Sequence, residues 1–485
     1  MISRSRFILL EVALAVAVGV LLRYVVDLRP LWWLVWFAPA PLLLIAIQFP
    51  IRDSRWMVPV AALIGTSCNF HYLRQVMPLP SVILVIALQA LLWNFLIFAS
   101  RRVIVRHRAW WTVFAYPVFW VAVDTLAAAL LPDGNWGSLA YSQADQLPII
   151  QIASLFGTAG LLFLVCLVPS VLAVTVAYGR RLRHGWIPVT LTAMLLAASL
   201  IFGYARLRTP VTGAETTFAM VSIDDAIGVR ASAAYAGRIL TGYDSRVAEV
   251  AAEGAQIVVL PEKIAFVAPT KAPDWQRHFS ALAAQNHVWL EVGIGVDDGR
   301  SPTNWAWLFA PDGQLAASYE KHHMAPPERR QHYVSGADYT VTAINGQTYG
   351  LAICKDMHFA ALGREYGGRH AAVMLVPAWD FDYLDGWIEA RTTVFRGIEN
   401  GYTIVRASRE GLLTASDPYG RILAEVPSSA MPGRTLLARV IVANPLHTLY
   451  TTIGNLFGWL SVAAAALLFA LGCNWGRAKP PNERS

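Results

Sequence analysis

The chain has 485 residues, of which 56% are hydrophobic and 15% are charged, and its net charge is +7. This composition is too apolar for an ordinary soluble protein and indicates a membrane protein with two or three domains. The positive charge does not indicate nucleic-acid binding, because the arginines cluster in short connections between apolar runs. The four cysteines have neither the spacing of a disulfide framework nor that of a metal site.

The apolar runs predict eight transmembrane helices, because about 20 apolar residues are needed to cross a bilayer. They divide into an N-terminal membrane domain over residues 1–208 and a C-terminal helix and tail over residues 446–485. Arg4 and Arg6 before the first run are also typical of a signal peptide, but no small-residue cleavage site follows and Glu11 interrupts the run. The predicted spans are 7–26, 31–49, 56–73, 81–100, 109–131, 155–178, 186–205 and 450–472.

Basic residues in the connections between the spans predict the orientation of the chain. With the N-terminus inside, the inner segments contain Arg4, Arg6, Arg52, Arg55, Arg101, Arg102, Arg106, Arg108, Arg180, Arg181, Arg183, Arg477, Lys479 and Arg484. The short outer connections contain only Arg23, Arg29 and Arg74. This asymmetry predicts that both termini are cytoplasmic and that residues 209–445 lie on the outer side.

Residues 209–445 have the pattern of a globular α/β domain, in which short β-rich runs alternate with amphipathic helices. Such a pattern predicts mixed sheets with helices on their outer faces. The predicted helices are 231–252, 272–287, 359–367 and 384–400. The predicted strands and hairpins are 217–223, 255–260, 287–296, 304–321, 341–354 (turning at Asn345-Gly346), 371–377, 403–408, 412–416 and 420–426.

Three apolar runs in this domain stop at a reactive side chain. IVVLPE ends in Glu262, LAASYEK ends in Lys321 and YGLAIC ends in Cys354. Strand ends are where α/β folds assemble active sites. A thiol needs a base or a cation to become a nucleophile, and an ammonium group also stabilises an oxyanion. Each residue taken singly also has a structural explanation: Cys354 as a small buried hydrophobe, Glu262 as part of a turn, and Lys321 as one partner of a surface ion pair.

The order of these residues and the sequence around each resemble the nitrilase (carbon–nitrogen hydrolase) superfamily, whose catalytic triad is Glu, Lys and Cys in that order. The matching stretches are LPE, YEKHHMAPPE, GLAICKDMHF, VPAWDF and FRGIENGYTIVRASREGLLTASDPYGRIL, which together cover nearly all of residues 216–440. The membrane helices and the stretch GSLAYSQADQLPIIQIASLFGTAGLLFLV at 137–165 are similar to one branch of that superfamily, the apolipoprotein N-acyltransferase family.

This resemblance implies a four-layer αββα sandwich attached to the helical membrane bundle. It implies that Cys354 takes an acyl chain from a phospholipid as a thioester, with Glu262 as base and Lys321 at the oxyanion. The acyl chain then passes to the N-terminal amine of a diacylglyceryl-cysteine lipoprotein. Glu328 matches a further functional glutamate of the family. The implied location is the bacterial inner membrane, with the catalytic domain in the periplasm, and we expect a monomer that needs no cofactor.

The residues after the nucleophile depart from the family. Lys355-Asp356 stands where its members usually have Tyr-Glu; Asp356 fits the wider superfamily and Lys355 fits neither pattern. Trp379 and Phe381 follow a predicted strand end and are candidates for an acyl-chain pocket, the membrane interface or the core.

We predict no metal site, because adjacent residues on an extended segment, such as His322 and His323, point to opposite faces. Three functional alternatives stay open at this point. The chain could be a membrane-anchored amidase with the same triad, an acyltransferase for another amine acceptor, or an inactive scaffold that keeps the fold.

Overall fold

The computed structural model describes residues 4–381 and 383–473. Arg477, Lys479 and Arg484, which contribute to the predicted orientation, lie outside the described residues. The helices are α1 (Arg4–Arg23), α2 (Trp32–Val35), α3 (Pro39–Gln48), α4 (Ile51–Thr66), α5 (Phe70–Val76), α6 (Leu79–His107), α7 (Ala115–Leu130), α8 (Leu147–Ile150), α9 (Ala153–Tyr178), α10 (Trp186–Leu207), α11 (Ala233–Ala252), α12 (Ala272–Asn286), α13 (Pro326–Arg330), α14 (Ala360–Gly368), α15 (Gly386–Asn400), α16 (Leu449–Ile453) and α17 (Leu456–Cys473).

Within the described residues, 5 helical segments are long and apolar enough to cross a membrane. They are Leu79–His107, Trp110–Leu130, Ala153–Tyr178, Trp186–Leu207 and Leu456–Cys473, and they correspond to five of the predicted spans. Of the other three predicted spans, the first corresponds to the single helix α1 (20 residues), the second is divided into α2 and α3 before Pro39, and the third ends at Thr66 in a 3₁₀ turn that leads into α5.

The described residues from 213 to 443 form two β-sheets. One has the strand order β13-β1-β2-β4-β5-β6, with β3 paired to β4, and the other has the order β12-β11-β10-β9-β8-β7. The strands are β1 (Gly213–Ser222), β2 (Ile257–Val259), β3 (Ala265–Val267), β4 (Trp289–Val296), β5 (Thr303–Phe309), β6 (Leu315–Glu320), β7 (Val341–Ile344), β8 (Gln347–Leu351), β9 (Val373–Trp379), β10 (Thr403–Arg409), β11 (Leu412–Ser416), β12 (Ile422–Pro427) and β13 (Arg434–Ala443).

The two sheets pack face to face and carry helices on their outer faces. Buried apolar residues of both sheets, including Phe218, Ile257, Leu375 and Val405, form the layer between them. Helices α11 and α12 cover the first sheet, while α14 packs against the second. The structure is therefore an α/β sandwich of the predicted kind, and the hairpin turn between β7 and β8 falls at Asn345-Gly346 as predicted.

Helix α15 joins the sandwich to the membrane bundle. All of its residues are buried, because one face contacts β10 and β11 while Trp387, Ile388 and Phe395 pack into the apolar core of the bundle. The helix ends at Gly401, whose left-handed backbone (φ 78) places it against the carbonyl oxygen of Leu446. A Cβ atom there would lie 2.0 Å from that oxygen, so glycine is required for this close approach.

Candidate active site

The structure brings Glu262 and Lys321 into direct contact at neighbouring loop starts. Glu262 lies three residues after β2, and Lys321 follows the last residue of β6. The Lys321 ammonium donates to Glu262 Oε1 at 2.8 Å and to Glu328 Oε2 at 2.8 Å. Glu328 lies on α13, where its side chain also accepts from the backbone N–H of Ala325 at 2.8 Å and so closes the first turn of that helix.

Two residues that the sequence analysis did not single out complete this charged cluster. Lys263 donates to Glu328 Oε1 at 2.6 Å, and the Asn304 amide donates to Glu262 Oε1 at 2.6 Å and to Glu328 Oε1 at 2.8 Å. The four charged side chains, two cations and two anions, are at most 5% exposed. Buried charges are stable in this arrangement because each is paired and hydrogen-bonded.

The pairing changes the protonation behaviour of the cluster. Burial lowers the pKa of Lys321, but the carboxylates of Glu262 and Glu328 outweigh it and raise that pKa well above its ordinary value. Burial raises the pKa of Glu328, but Lys321 and Lys263 hold it well below the usual range. Lys321 is therefore a permanent cation and Glu328 a permanent anion at neutral pH.

Cys354 does not end a strand as predicted. Strand β8 ends at Leu351, and Cys354 begins a short 3₁₀ turn with a left-handed backbone (φ 46), which is unusual for a residue with a Cβ atom. Its thiol donates to the carbonyl oxygen of Trp379 at 3.5 Å. Burial raises the pKa of the thiol well above its ordinary value, Glu262 raises it further, and Lys321 partly opposes both. The resting side chain is thus a thiol that needs a base.

Asp356 connects the turn of Cys354 to the loop of Lys321. Its carboxylate accepts from the backbone N–H groups of Ile353 at 3.1 Å and His323 at 2.8 Å, and from the hydroxyl of Tyr319 at 2.8 Å. A carboxylate that holds two loops at once fixes their separation. Asp356 is therefore a positioning group in this structure, two residues after the candidate nucleophile.

The other predicted residues have different surroundings. The Lys355 ammonium is bonded to Asp133, in the connection that follows α7. Two cations lie over the Trp379 ring, Arg409 at 3.9 Å and Lys263 at 5.2 Å from its centre. Phe381 packs against a cluster of apolar residues from α5 and α6.

A groove of about 1150 Å³ lies between the catalytic domain and the ends of the membrane helices. One wall contains His322 and His323, which follow Lys321, and Phe359, which lies five residues after Cys354. The other wall consists of the last turn of α7 together with Tyr450 and Trp459 from α16 and α17. The groove therefore presents both polar and apolar surface, as a bound lipid requires, and it is lined by chain neighbours of Lys321 rather than by Lys321 itself.

Chemically, this arrangement suits acyl chemistry through a thioester. A buried thiol, a carboxylate and a permanent ammonium are the groups that such a reaction requires as nucleophile, base and oxyanion partner.

Two family models match the chain, and the second of them contains all the candidate site residues. The apolipoprotein N-acyltransferase N-terminal domain matches residues 18–171, and the carbon-nitrogen hydrolase domain matches residues 234–439. Relatives that carry both halves share the name apolipoprotein N-acyltransferase. This chain belongs to the apolipoprotein N-acyltransferase family.

Individual relatives define how far the similarity extends. The apolipoprotein N-acyltransferase of Geobacter metallireducens is 25% identical over 74% of this chain and 73% of its own length. That of Rhodopseudomonas palustris is 21% identical over 93% and 92%. The deaminated glutathione amidase of Synechocystis is 28% identical over 36% of this chain and 76% of its own. Among solved structures, an amidase from Nesterenkonia is 20% identical and covers 48% of this chain and 93% of its own, with a TM-score of 0.41.

Proposed function

We propose that this chain moves an acyl chain from a phospholipid to the N-terminal amine of a lipoprotein's diacylglyceryl-cysteine, through a thioester on Cys354. The observation that carries the proposal is the contact of Lys321 with Glu262, whose charges both act on the buried Cys354 thiol, near a groove that membrane helices wall on one side. An active site that opened only to water would not need that second wall.

In the first half-reaction, the Glu262 carboxylate accepts the proton of the Cys354 thiol, and the sulfur attacks the ester carbonyl of the phospholipid. Lys321 stabilises the oxyanion of the tetrahedral intermediate. When the intermediate collapses, the carbon–oxygen ester bond breaks and the leaving alkoxide takes the proton from Glu262. The products are a thioester on Cys354 and a lysophospholipid.

In the second half-reaction, the free amine of the lipoprotein attacks the thioester carbonyl. Glu262 accepts a proton from the attacking nitrogen and returns it to the departing Cys354 sulfur, so that an amide forms and the enzyme is regenerated. Both lipid substrates are confined to the same bilayer as the site, which raises their effective concentration.

We also propose that the chain lies in a bacterial inner membrane as a monomer, with both termini in the cytoplasm. Its parts are a membrane domain at 1–208, a periplasmic catalytic domain at 209–445 and a C-terminal helix and tail at 446–485. The contacts between the two halves support this orientation. Arg330 donates to the carbonyl of Val76, Gln151 donates to that of Tyr419, and Arg364 donates to that of Thr451. The bundle residues among them, Val76, Gln151 and Thr451, belong to segments assigned to the outer side by the basic residues.

The test is a two-substrate assay with the full chain in nanodiscs. Phosphatidylethanolamine supplies a labelled acyl chain, and a synthetic peptide with an N-terminal diacylglyceryl-cysteine serves as acceptor. We expect label on the peptide, and none on a control peptide whose amine is acetylated. Release of labelled free fatty acid with no labelled peptide would instead show that water and not the amine takes the acyl chain, and would reject the transferase proposal.

A further inference from the structure

One carboxylate of the membrane bundle reaches the catalytic site. Asp133 lies in the connection after α7, and its two oxygens accept from both terminal nitrogens of Arg329 at 3.0 Å each. Its Oδ1 atom also bonds the Lys355 ammonium. This bidentate pairing with a guanidinium fixes the orientation of the carboxylate as well as its charge.

The two cations held by Asp133 are the sequence neighbours of two site residues. Arg329 follows Glu328 on α13, and Lys355 follows Cys354. Asp133 therefore connects, from the membrane side, the helix of the second glutamate to the turn of the nucleophile. A second residue of the connection after α7, Trp136, donates a hydrogen bond to Glu389 on α15 at 2.8 Å.

The backbone of Cys354 needs such support. Its left-handed conformation persists only where the surroundings determine it. Asp356 holds the turn on the side of Lys321 through the N–H of Ile353. Lys355 and Asp133 hold it on the side of the membrane bundle, so that the nucleophile is fixed from both directions.

The environment of Lys355 argues against a role as a lipid-phosphate ligand. Its side chain is 6% exposed and its ammonium is already bonded to Asp133. Burial lowers the pKa of Lys355, and Asp133 opposes that shift, so the carboxylate keeps the buried ammonium charged. A lysine in this state is suited to holding a turn rather than to meeting a headgroup.

We propose that Asp133 is a positioning residue of the membrane domain, which acts through Lys355 and Arg329 to fix the turn that carries Cys354. The inference rests on the proposed function only for its acyl-transfer readout. It also accounts for the departure of Lys355 from the family pattern, because the side chain at this position serves as the partner of a bundle carboxylate.

The experiment uses the full chain in nanodiscs that contain phosphatidylethanolamine with a labelled acyl chain. The single-turnover rate of thioester formation is measured against the mole fraction of that lipid for Asp133→Asn, Lys355→Met, the double variant and Asp133→Glu. The matched control is Asp145→Asn. Asp145 also joins the bundle to the catalytic domain, through Arg391 at 2.6 Å, and is similarly exposed, but it does not contact the nucleophile turn.

We expect the maximal rate to fall about fivefold or more in Asp133→Asn and Lys355→Met, with the half-saturating lipid fraction unchanged. The double variant should be no slower than the slower single variant, since both remove the same link, and Asp133→Glu should recover part of the rate. Asp145→Asn should match the wild type. The proposal would be overturned if the rate losses of the two single variants multiplied in the double variant. It would also be overturned if the half-saturating lipid fraction rose while the maximal rate stayed unchanged, because that result would indicate a site for the headgroup phosphate.

A second readout does not depend on the proposed function. The rate at which iodoacetamide alkylates Cys354 is followed by peptide mass mapping. Because the thiol is buried in the turn, loosening the turn should expose it, and we expect faster alkylation in Asp133→Asn than in Asp145→Asn. Equal rates would overturn the positioning role even if phospholipid acylation occurs. Faster alkylation without any lipid acylation of the wild type would uphold it and reject the proposed function alone.

Discussion

The buried cluster around Lys321 makes a quantitative prediction for Glu328→Gln. This change removes one of two anions and leaves Lys321 and Lys263 beside Glu262 alone. Removing one partner from a buried ion pair costs about 3–5 kcal/mol, and the low exposure of these side chains leaves little solvent to screen the remaining charges. Because 1 kcal/mol shifts the unfolding midpoint of a domain of this size by about 2–4 °C, we expect a midpoint roughly 10 °C lower.

The pH dependence of this effect follows from the depressed pKa of Glu328. A carboxyl group whose pKa is lowered by folding contributes stability above its unfolded pKa of about 4.3, and that contribution is lost only as the pH falls through the folded value. The difference in midpoint between wild type and Glu328→Gln should therefore stay constant between pH 6 and pH 8. Acyl transfer should also slow, because Lys321 loses one of the two carboxylates that hold its ammonium group in place.

The assay is thermal unfolding in nanodiscs, with Glu291→Gln as the matched control. Glu291 is fully buried on β4, and neither of its carboxyl oxygens has a hydrogen-bond partner among the described residues. Burial alone raises its pKa well above the ordinary value, so it is a neutral acid and its replacement changes no charge. We expect the control to lose no more than about 1 kcal/mol. Equal midpoints for Glu328→Gln and wild type would refute the description of this cluster as paired charges.

Three further predictions concern single site residues. Glu262→Gln should abolish acyl transfer. It should also speed the alkylation of Cys354, because the carboxylate that raises the thiol pKa is gone, and the alkylation rate should rise about tenfold for each unit by which that pKa falls. Slower alkylation would contradict this electrostatic role. Lys321→Met should slow thioester formation by about 100-fold or more at saturating lipid, and a change confined to the half-saturating lipid fraction would assign Lys321 to binding instead. Asp356→Asn should lower the free energy of unfolding by about 2 kcal/mol, because four hydrogen-bond donors lose a charged acceptor. Denaturant titration measures this difference, and an unchanged free energy would show that the two loops do not depend on the Asp356 carboxylate.

Much of the catalytic domain could be predicted from local sequence. Periodicity located most of the strands and the amphipathic helices, and Asn345-Gly346 located a hairpin turn, because these signals depend on neighbouring residues. The short strand β3 was missed although β2 is equally short, because β2 lies within the longer apolar run 255–260 whereas Pro269 follows β3 after one residue. The strand predicted to reach Cys354 stops at Leu351, because the thiol needs a turn that no alternation of apolar residues encodes.

The candidate site was predictable in its parts but not in its contacts. Glu262, Lys321 and Glu328 were named from local motifs, and the structure joins them. Lys263 appeared in the sequence as an ordinary charge beside Glu262, although it is the second cation of the cluster. The bond between Asp133 and Lys355 joins residues more than 200 positions apart in the sequence, and no local sequence pattern predicts a pair of this kind.

The membrane half was predicted less well than the catalytic half. Hydropathy identifies a long apolar run, but it does not register the turn before Pro39 that divides one predicted span, or the turn after Thr66 that ends another. Such segments depend on packing against neighbouring helices, and α1 indeed packs against α4.

The central claim, that Cys354 accepts a lipid acyl chain, is tested most directly by intact mass measurement of the full chain after incubation with phosphatidylethanolamine that carries a labelled acyl chain. Cys354→Ala and Cys354→Ser are measured in parallel. We expect wild type to gain the mass of one acyl chain in a hydroxylamine-sensitive linkage, and Cys354→Ala to gain none. A folded wild-type protein that gains no mass, or an adduct that persists in Cys354→Ala, would contradict the account.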